Sequence, residues 1–342
     1  MVRPASKDAE AAGTRNEQPR LEEASNKSGL VPDPDKGGDR GGVPFFGEAP
    51  LRPIPYIAGL FDAEGTILLS DVRGWFQLHV KLTNSYRPIL ITLQERFGGH
   101  IQEKLGRGRK SRCWSWELTA LEESIVFLEQ ILPFLMTKRD QAALVIKEAP
   151  IRFSEATRRR VSDLNCGIIK EENSTRRFTG EESVQYMAGF FDGEGCVTIA
   201  KASERRHWLQ IRVGGVDAGT LEWVRENFGG CIGKQRRYSE RHRQAWYWQL
   251  QASGAGKFLT EILRYSVIKR PQIEIGLRFR KECAKAPGAN HLTEAELQRR
   301  EFFKQKLSSL NFNKGKRPTT GRSPTQICKG EVNVLANPNL YP

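Results

Sequence analysis

The stretch AGLFDAEG (Ala58–Gly65) returns almost unchanged as AGFFDGEG (Ala188–Gly195). Three further landmarks follow each copy in the same order. RFGGHI (Arg96–Ile101) is echoed by NFGGCI (Asn227–Ile232), WSWEL (Trp114–Leu118) by WYWQL (Trp246–Leu250), and TKRDQ (Thr137–Gln141) by IKRPQ (Ile268–Gln272). The offset between partners stays between 130 and 132 residues. A unit that recurs with its internal order intact is one domain built twice. The expected organisation is a first repeat over 51–149, a linker over 150–182 and a second repeat over 183–285.

Each copy carries the same alternation of periods. A short apolar helix runs into Gly65 or Gly195, glycine being a common helix terminator. Two strands follow. In FQLHVKLT, Phe76, Leu78, Val80 and Leu82 share one face, while Gln77, His79, Lys81 and Thr83 share the other. The second copy sets Leu209, Ile211 and Val213 against Gln210 and Arg212. Period two with one polar face predicts half-buried antiparallel strands. A helix over RPILITLQERF comes next, with Pro88 in its first turn. Two more strands and a closing helical segment complete an α-β-β-α-β-β-α unit. The alternating tryptophans of the fourth strand, Trp114, Trp116, Trp246 and Trp248, fit core packing.

The ends differ. Residues 1–50 are rich in Pro, Gly, Ser and charge, which predicts a disordered extension. Residues 286–342 are expected to hold one amphipathic helix over Leu292–Leu307, with Thr293 as N-cap, and a disordered basic tail. The formal charge is +14, yet residues 1–50 hold nine acids against seven basic residues. The remainder therefore carries the whole excess, and a basic body of this kind suits a polyanion, with nucleic acid the first expectation.

Other chemistries find no support. The six cysteines form no CxxC pair and the five histidines no HExxH spacing, so neither a disulfide frame nor a zinc site is expected. GAGK (Gly254–Lys257) fails the P-loop spacing because Gln251 stands where glycine is needed. No run of 18 apolar residues exists, so a membrane span is not expected. The first residues lack a secretory apolar region and hold too many acids for a transit peptide, so an intracellular protein is expected.

The repeated motif combines small residues with acids. Ala58 and Gly59, like Ala188 and Gly189, let two helices approach backbone to backbone. Such a pseudo-two-fold contact would set Glu64 beside Glu194, each at a helix C-terminus, where the dipoles add to their repulsion. A divalent cation relieves it, and Mg2+ typically takes one or two carboxylates, waters and phosphate oxygens.

These motifs, with the strand order and the FGG and KR.Q echoes behind them, resemble the double-motif LAGLIDADG homing endonucleases over roughly residues 50–283. The resemblance implies an α+β fold: two tandem αββαββα repeats related by pseudo-two-fold symmetry, forming a saddle of antiparallel sheets over DNA. It implies a monomer that makes a double-strand break in a long asymmetric target, with Mg2+ as cofactor and Mn2+ as a substitute. Glu64 and Glu194 would be the metal ligands. Lys138 and Lys269 would stabilise transition-state charge or position water, and Asn84 and Asp217 would organise water. Asp62 and Asp192, with Gly59 and Gly189, would be structural. The polar sheet face supplies the DNA-contact candidates: Gln77, His79, Lys81, Gln102 and Lys104 in the first half, Gln210, Arg212, Gln235 and Arg237 in the second. The turn with Arg107, Arg109 and Lys110 would grip phosphates. Alternatives are an intron RNA maturase on the same fold, with host intron RNA as a partner, and a catalytically inactive DNA-binding regulator. If the gene lies in an intron, a chloroplast or mitochondrion is the expected compartment, and otherwise a prokaryotic cytoplasm.

Overall fold

The computed structural model describes residues 52–104, 112–167, 178–203, 206–215, 217–236, 244–283 and 292–312. The candidates Arg107, Arg109, Lys110 and Arg237, the extension 1–50 and the tail after Phe312 lie outside the described residues. No described helix is long and apolar enough to cross a membrane.

The first repeat runs α1 (Ile54–Glu64), β1 (Gly65–Val72), β2 (Trp75–Asn84), α2 (Arg87–Phe97), β3 (His100–Glu103), β4 (Trp114–Leu118), α3 (Leu121–Ile131), a 3-10 turn (Leu132–Phe134), α4 (Arg139–Glu148) and α5 (Glu155–Cys166). The second runs α6 (Glu181–Glu194), β5 (Gly195–Ser203), β6 (Arg206–Gly215), α7 (Ala218–Phe228), β7 (Cys231–Lys234), β8 (Trp246–Gln251), α8 (Ala252–Ile262), α9 (Arg270–Cys283) and α10 (Glu294–Phe312). GAGK lies inside α8.

Each repeat holds one four-stranded antiparallel sheet, in the orders β1-β2-β4-β3 and β5-β6-β8-β7. The alternation expected from sequence holds: Leu78, Val80 and Leu82 are buried, as are Leu209, Ile211 and Val213. Helices cover these apolar faces. Trp116 packs edge-on against Phe127 and Trp248 against Phe258, each tryptophan fully buried. Their indole N–H groups donate to the carbonyls of Gly98 (2.9 Å) and Gly229 (2.7 Å). The FGG turns need both glycines, which take φ of 75° and 78° in the first copy and 71° and 89° in the second.

The motif helices end at the expected glycines, and the segment after α4 holds more structure than a bare linker. Gly65 and Gly195 follow the motif helices but take extended φ of −77° and −72°. Their lack of a side chain matters because a Cβ on Gly65 would lie 2.4 Å from the Phe61 carbonyl oxygen. The segment 150–182, read as a linker, contains a whole helix. Thr157, Val161 and Leu164 recur on one side of α5 and Phe153 stands just before it, and all four are buried, a stripe hidden among the arginines. Ser154 and Thr157 form a capping box, with Ser154 Oγ accepting from Thr157 N (3.1 Å).

Candidate active site

Helices α1 and α6 meet along their small residues. A Cβ on Gly59 would lie 2.0 Å from the Tyr186 carbonyl oxygen, and one on Gly189 would lie 1.9 Å from that of Tyr56. Further along, a Cβ on Gly193 would lie 2.3 Å from that of Ala63 and 3.1 Å from Glu64 Cγ. Contacts that advance together along both chains mean parallel helices, so both C-termini arrive at the same place. Glu64 is half-buried and Glu194 exposed there. Two negative dipole ends and two carboxylates at one point repel.

Two lysines offset this. Lys138 Nζ donates to the carbonyl oxygen of Asp62, and Lys269 Nζ donates to those of Asp192 (2.5 Å) and Gly193 (2.9 Å). Each ammonium thus satisfies carbonyls left orphaned at a helix end. Burial pulls the Lys138 pKa down, while Asp62, Glu194 and Glu64 in turn pull it up. That balance places Lys138 in the field of both glutamates.

Asp62 and Asp192 build the frame around them. Asp62 accepts from the backbone N–H of Met136 (2.7 Å) and Lys138 (2.8 Å). Asp192 accepts from Val267 (2.7 Å), Ile268 (3.1 Å) and Lys269 (3.0 Å). Each aspartate therefore pins the segment that presents its own repeat's lysine. Burial raises the Asp62 pKa, against the pull of Lys138 and of these hydrogen bonds. Each aspartate also accepts a hydroxyl from the opposite repeat: Tyr186 donates to Asp62 (2.9 Å) and Tyr56 to Asp192 (2.8 Å). Burial and the neighbouring aspartates push both tyrosines well above their ordinary pKa, which keeps them donors. Sequence reading passed over these tyrosines, although they stand 130 residues apart, the offset of the motifs themselves.

Asn84 ends β2, and Asp217 stands just beyond β6 at the start of α7. Asn84 is buried and its Oδ1 accepts from Tyr86 N (2.8 Å). Asp217 caps α7 through Thr220 N (3.0 Å) and Thr220 Oγ1 (2.7 Å). Neither contact reaches the glutamates.

The described DNA-contact candidates lie on the polar faces of β2, β3 and β6 and just beyond β3 and β7. Gln77, Gln102 and Gln235 are exposed, and His79, Lys81, Lys104, Gln210 and Arg212 partly so. Several are already engaged. His79 places Nδ1 against Glu117 Oε1 (2.6 Å) and Nε2 against Ser70 Oγ (2.7 Å). Arg212 donates from Nε to Gln249 Oε1 (3.0 Å) and lies over the Tyr247 ring at 4.5 Å. Glu117 and Gln249 were not singled out from sequence, because an acid and an amide inside WSWEL and WYWQL read as ordinary strand positions.

Two parallel small-residue helices, each running into the first strand of an antiparallel sheet, define a class: the double-motif LAGLIDADG fold. The solved structures bear this out. The chain is similar to the LAGLIDADG homing endonuclease I-GzeII in complex with its DNA target, at 15% identity and a TM-score of 0.53, over 74% of this chain and 97% of that one. It is similar to the LAGLIDADG meganuclease I-AabMI bound to uncleaved DNA, at 16% identity and 0.53, over 74% and 98%. It is also similar to the LAGLIDADG homing endonuclease I-LtrWI bound to target DNA, at 18% identity and 0.50, over 74% and 96%. No protein-family model and no curated protein matches the sequence.

Proposed function

We propose that this chain is a DNA endonuclease that hydrolyses one phosphodiester bond in each strand of a long, asymmetric duplex site. The observation that carries the proposal is the convergence of the two motif helices, which brings Glu64 and Glu194 to one place under two lysines. The solved structures of this fold are described as homing endonucleases in complex with DNA targets, which supports the same reading. Both halves of the site come from one chain, which supports a monomer as the active form.

The donor set suits Mg2+. Among the described residues no three His, Cys, Asp or Glu converge, so the site is no closed metal cage. Two hard carboxylates open to solvent are what Mg2+ uses when phosphate oxygens complete its shell. Bound there by Glu64, Glu194 and the scissile phosphates, the ion would supply a lowered water pKa and Lewis-acid stabilisation of developing charge. The chain's own residues do the rest. Asp62 and Asp192 hold Lys138 and Lys269 in place, and these ammonium groups favour the anionic phosphorane-like charge. The polar sheet faces orient the duplex, a two-stranded ribbon matching the major groove.

The test is cleavage of sites selected from a random or genomic DNA pool in Mg2+. The variants E64Q and E194Q are expected to lose double-strand cleavage of the selected duplex while retaining its binding. Full cleavage by the double variant would overturn the assignment.

A further inference from the structure

The polar face of the first sheet holds an acid where a DNA-facing surface should avoid one. Glu117 is 3% exposed and accepts from three of the residues placed on that face. Its Oε1 takes His79 Nδ1 (2.6 Å) and Lys81 Nζ (2.9 Å), and its Oε2 takes Gln102 Nε2 (3.0 Å). Burial alone would raise its pKa, but the hydrogen bonds and charges of Lys81 and His79 outweigh it and hold the carboxyl below its ordinary range. The second sheet has an amide at the same point. Lys81 stands directly across from Glu117, and Arg212 directly across from Gln249. Gln249 Oε1 accepts from Gln210 Nε2 (3.0 Å) and Arg212 Nε (3.0 Å).

The two hubs organise the same neighbours with different charge. Glu117 cancels the charge of Lys81 in a site too buried for salt to screen it well. Gln249, a neutral amide, brings no counter-charge to Arg212. We propose that this pair of positions sets how each half reads its half-site, a reading that rests on the DNA-facing role of the sheets. The first repeat presents His79, Lys81 and Gln102 as a locked set of donors with little net attraction for phosphate. The hub of the second repeat, being neutral, takes no charge away from its DNA-facing surface. Glu117 and Gln249 are positioning residues: they act through the side chains they hold.

Glutamine at 117 tests this without changing size. An amide offers one acceptor oxygen where the carboxylate offers two, so it cannot hold His79 and Lys81 at one end and Gln102 at the other, and the end that carries its N–H2 faces a donor. Lys81 also loses its counter-charge. The site selected with the wild-type protein and an unrelated duplex of equal length serve as probes. For E117Q, the loss of affinity between 50 and 200 mM salt is expected to grow about three- to fourfold on both duplexes, as one added phosphate contact predicts. Base discrimination is expected to fall about tenfold at positions under the first repeat and to stay unchanged under the second. Q249E is expected to show the converse, a shallower salt response and altered preference under the second repeat alone. E103Q, which removes a nearby exposed acid paired with Arg112 at 3.7 Å, is expected to leave base preference unchanged. An E117Q profile identical to wild type, or E103Q altering preference equally, overturns the inference while leaving the endonuclease reading intact. A wild-type protein that neither binds nor cleaves duplex DNA overturns both.

Discussion

At the scale of single residues, the two acids of each motif separate by environment. Glu64 and Glu194 reach solvent at the helix ends, while Asp62 and Asp192 are 3% and 0% exposed and saturated with hydrogen bonds. Their spacing in the sequence was visible, but their division of labour depends on partners more than 70 positions away, at Lys138 and Lys269. The cross-repeat tyrosines make the point testable. Y186F removes a 2.9 Å bond to a buried carboxylate and is expected to cost about 1–3 kcal/mol at neutral pH. That bond lowers the Asp62 pKa, which burial has raised above 3.8, so the variant raises it further. A raised carboxyl pKa destabilises the fold above that value and has no effect where the group is neutral in both states. The Y186F penalty, measured by denaturant unfolding, should therefore shrink as pH falls toward 3.8. A penalty that stays constant on acidification would mean the phenol stabilises something other than the Asp62 charge.

At the scale of elements, the repeat is longer than its sequence echo. Helix α5 packs on α4 and β1, and α10 packs on α9 and β5. Asn165 of α5 donates to the Ile67 carbonyl (2.8 Å), and Asn311 of α10 donates to that of Val197 (2.9 Å). Ile67 and Val197 are themselves 130 residues apart, on the edge strands β1 and β5. Both helices open with a capping box, Ser154 with Thr157 and Thr293 with Glu296, the latter at the N-cap expected from sequence. They are equivalent elements that satisfy strand-edge carbonyls, groups that otherwise template pairing with another chain. No motif announced the equivalence because the two helices share a role and almost no residues. N165A and N311A are each expected to lower the unfolding free energy by about 1 kcal/mol. Unaltered stability in both, measured by chemical denaturation, would show that the edge contacts contribute nothing.

At the scale of the whole molecule, the axis between the repeats is where the fold tolerates least. Ala at 189 would put a methyl group 1.9 Å from the Tyr56 carbonyl oxygen and 2.8 Å from Leu60 N, both backbone atoms. The helices would have to part, drawing the glutamates and the Tyr–Asp pairs with them. G189A is expected to destabilise by about 3 kcal/mol or more and to reduce cleavage in proportion to the folded fraction lost. G219A, where the nearest atoms lie 3.8 Å away, serves as the control and should be neutral or slightly stabilising, since alanine is the better helix former. Equal thermal stability for G189A and wild type would refute backbone-to-backbone packing at the axis.

The two-fold architecture, the strand faces and the meeting of the two motif helices were legible in the sequence alone. Each depends on a local regularity: a repeat in order, a period of two, a small residue every few positions of one helix. The tertiary structure decided what those regularities could not express. It gave Asn84 a local turn bond to Tyr86 N and Asp217 the N-cap of α7, placed a packed helix, α5, inside the 150–182 segment, and tied Asp62 to Tyr186 and Lys81 to Glu117. These are contacts between residues far apart in the chain, and hydrogen bonds of that kind leave no period in the sequence, because their geometry is set only when the elements that carry them have packed.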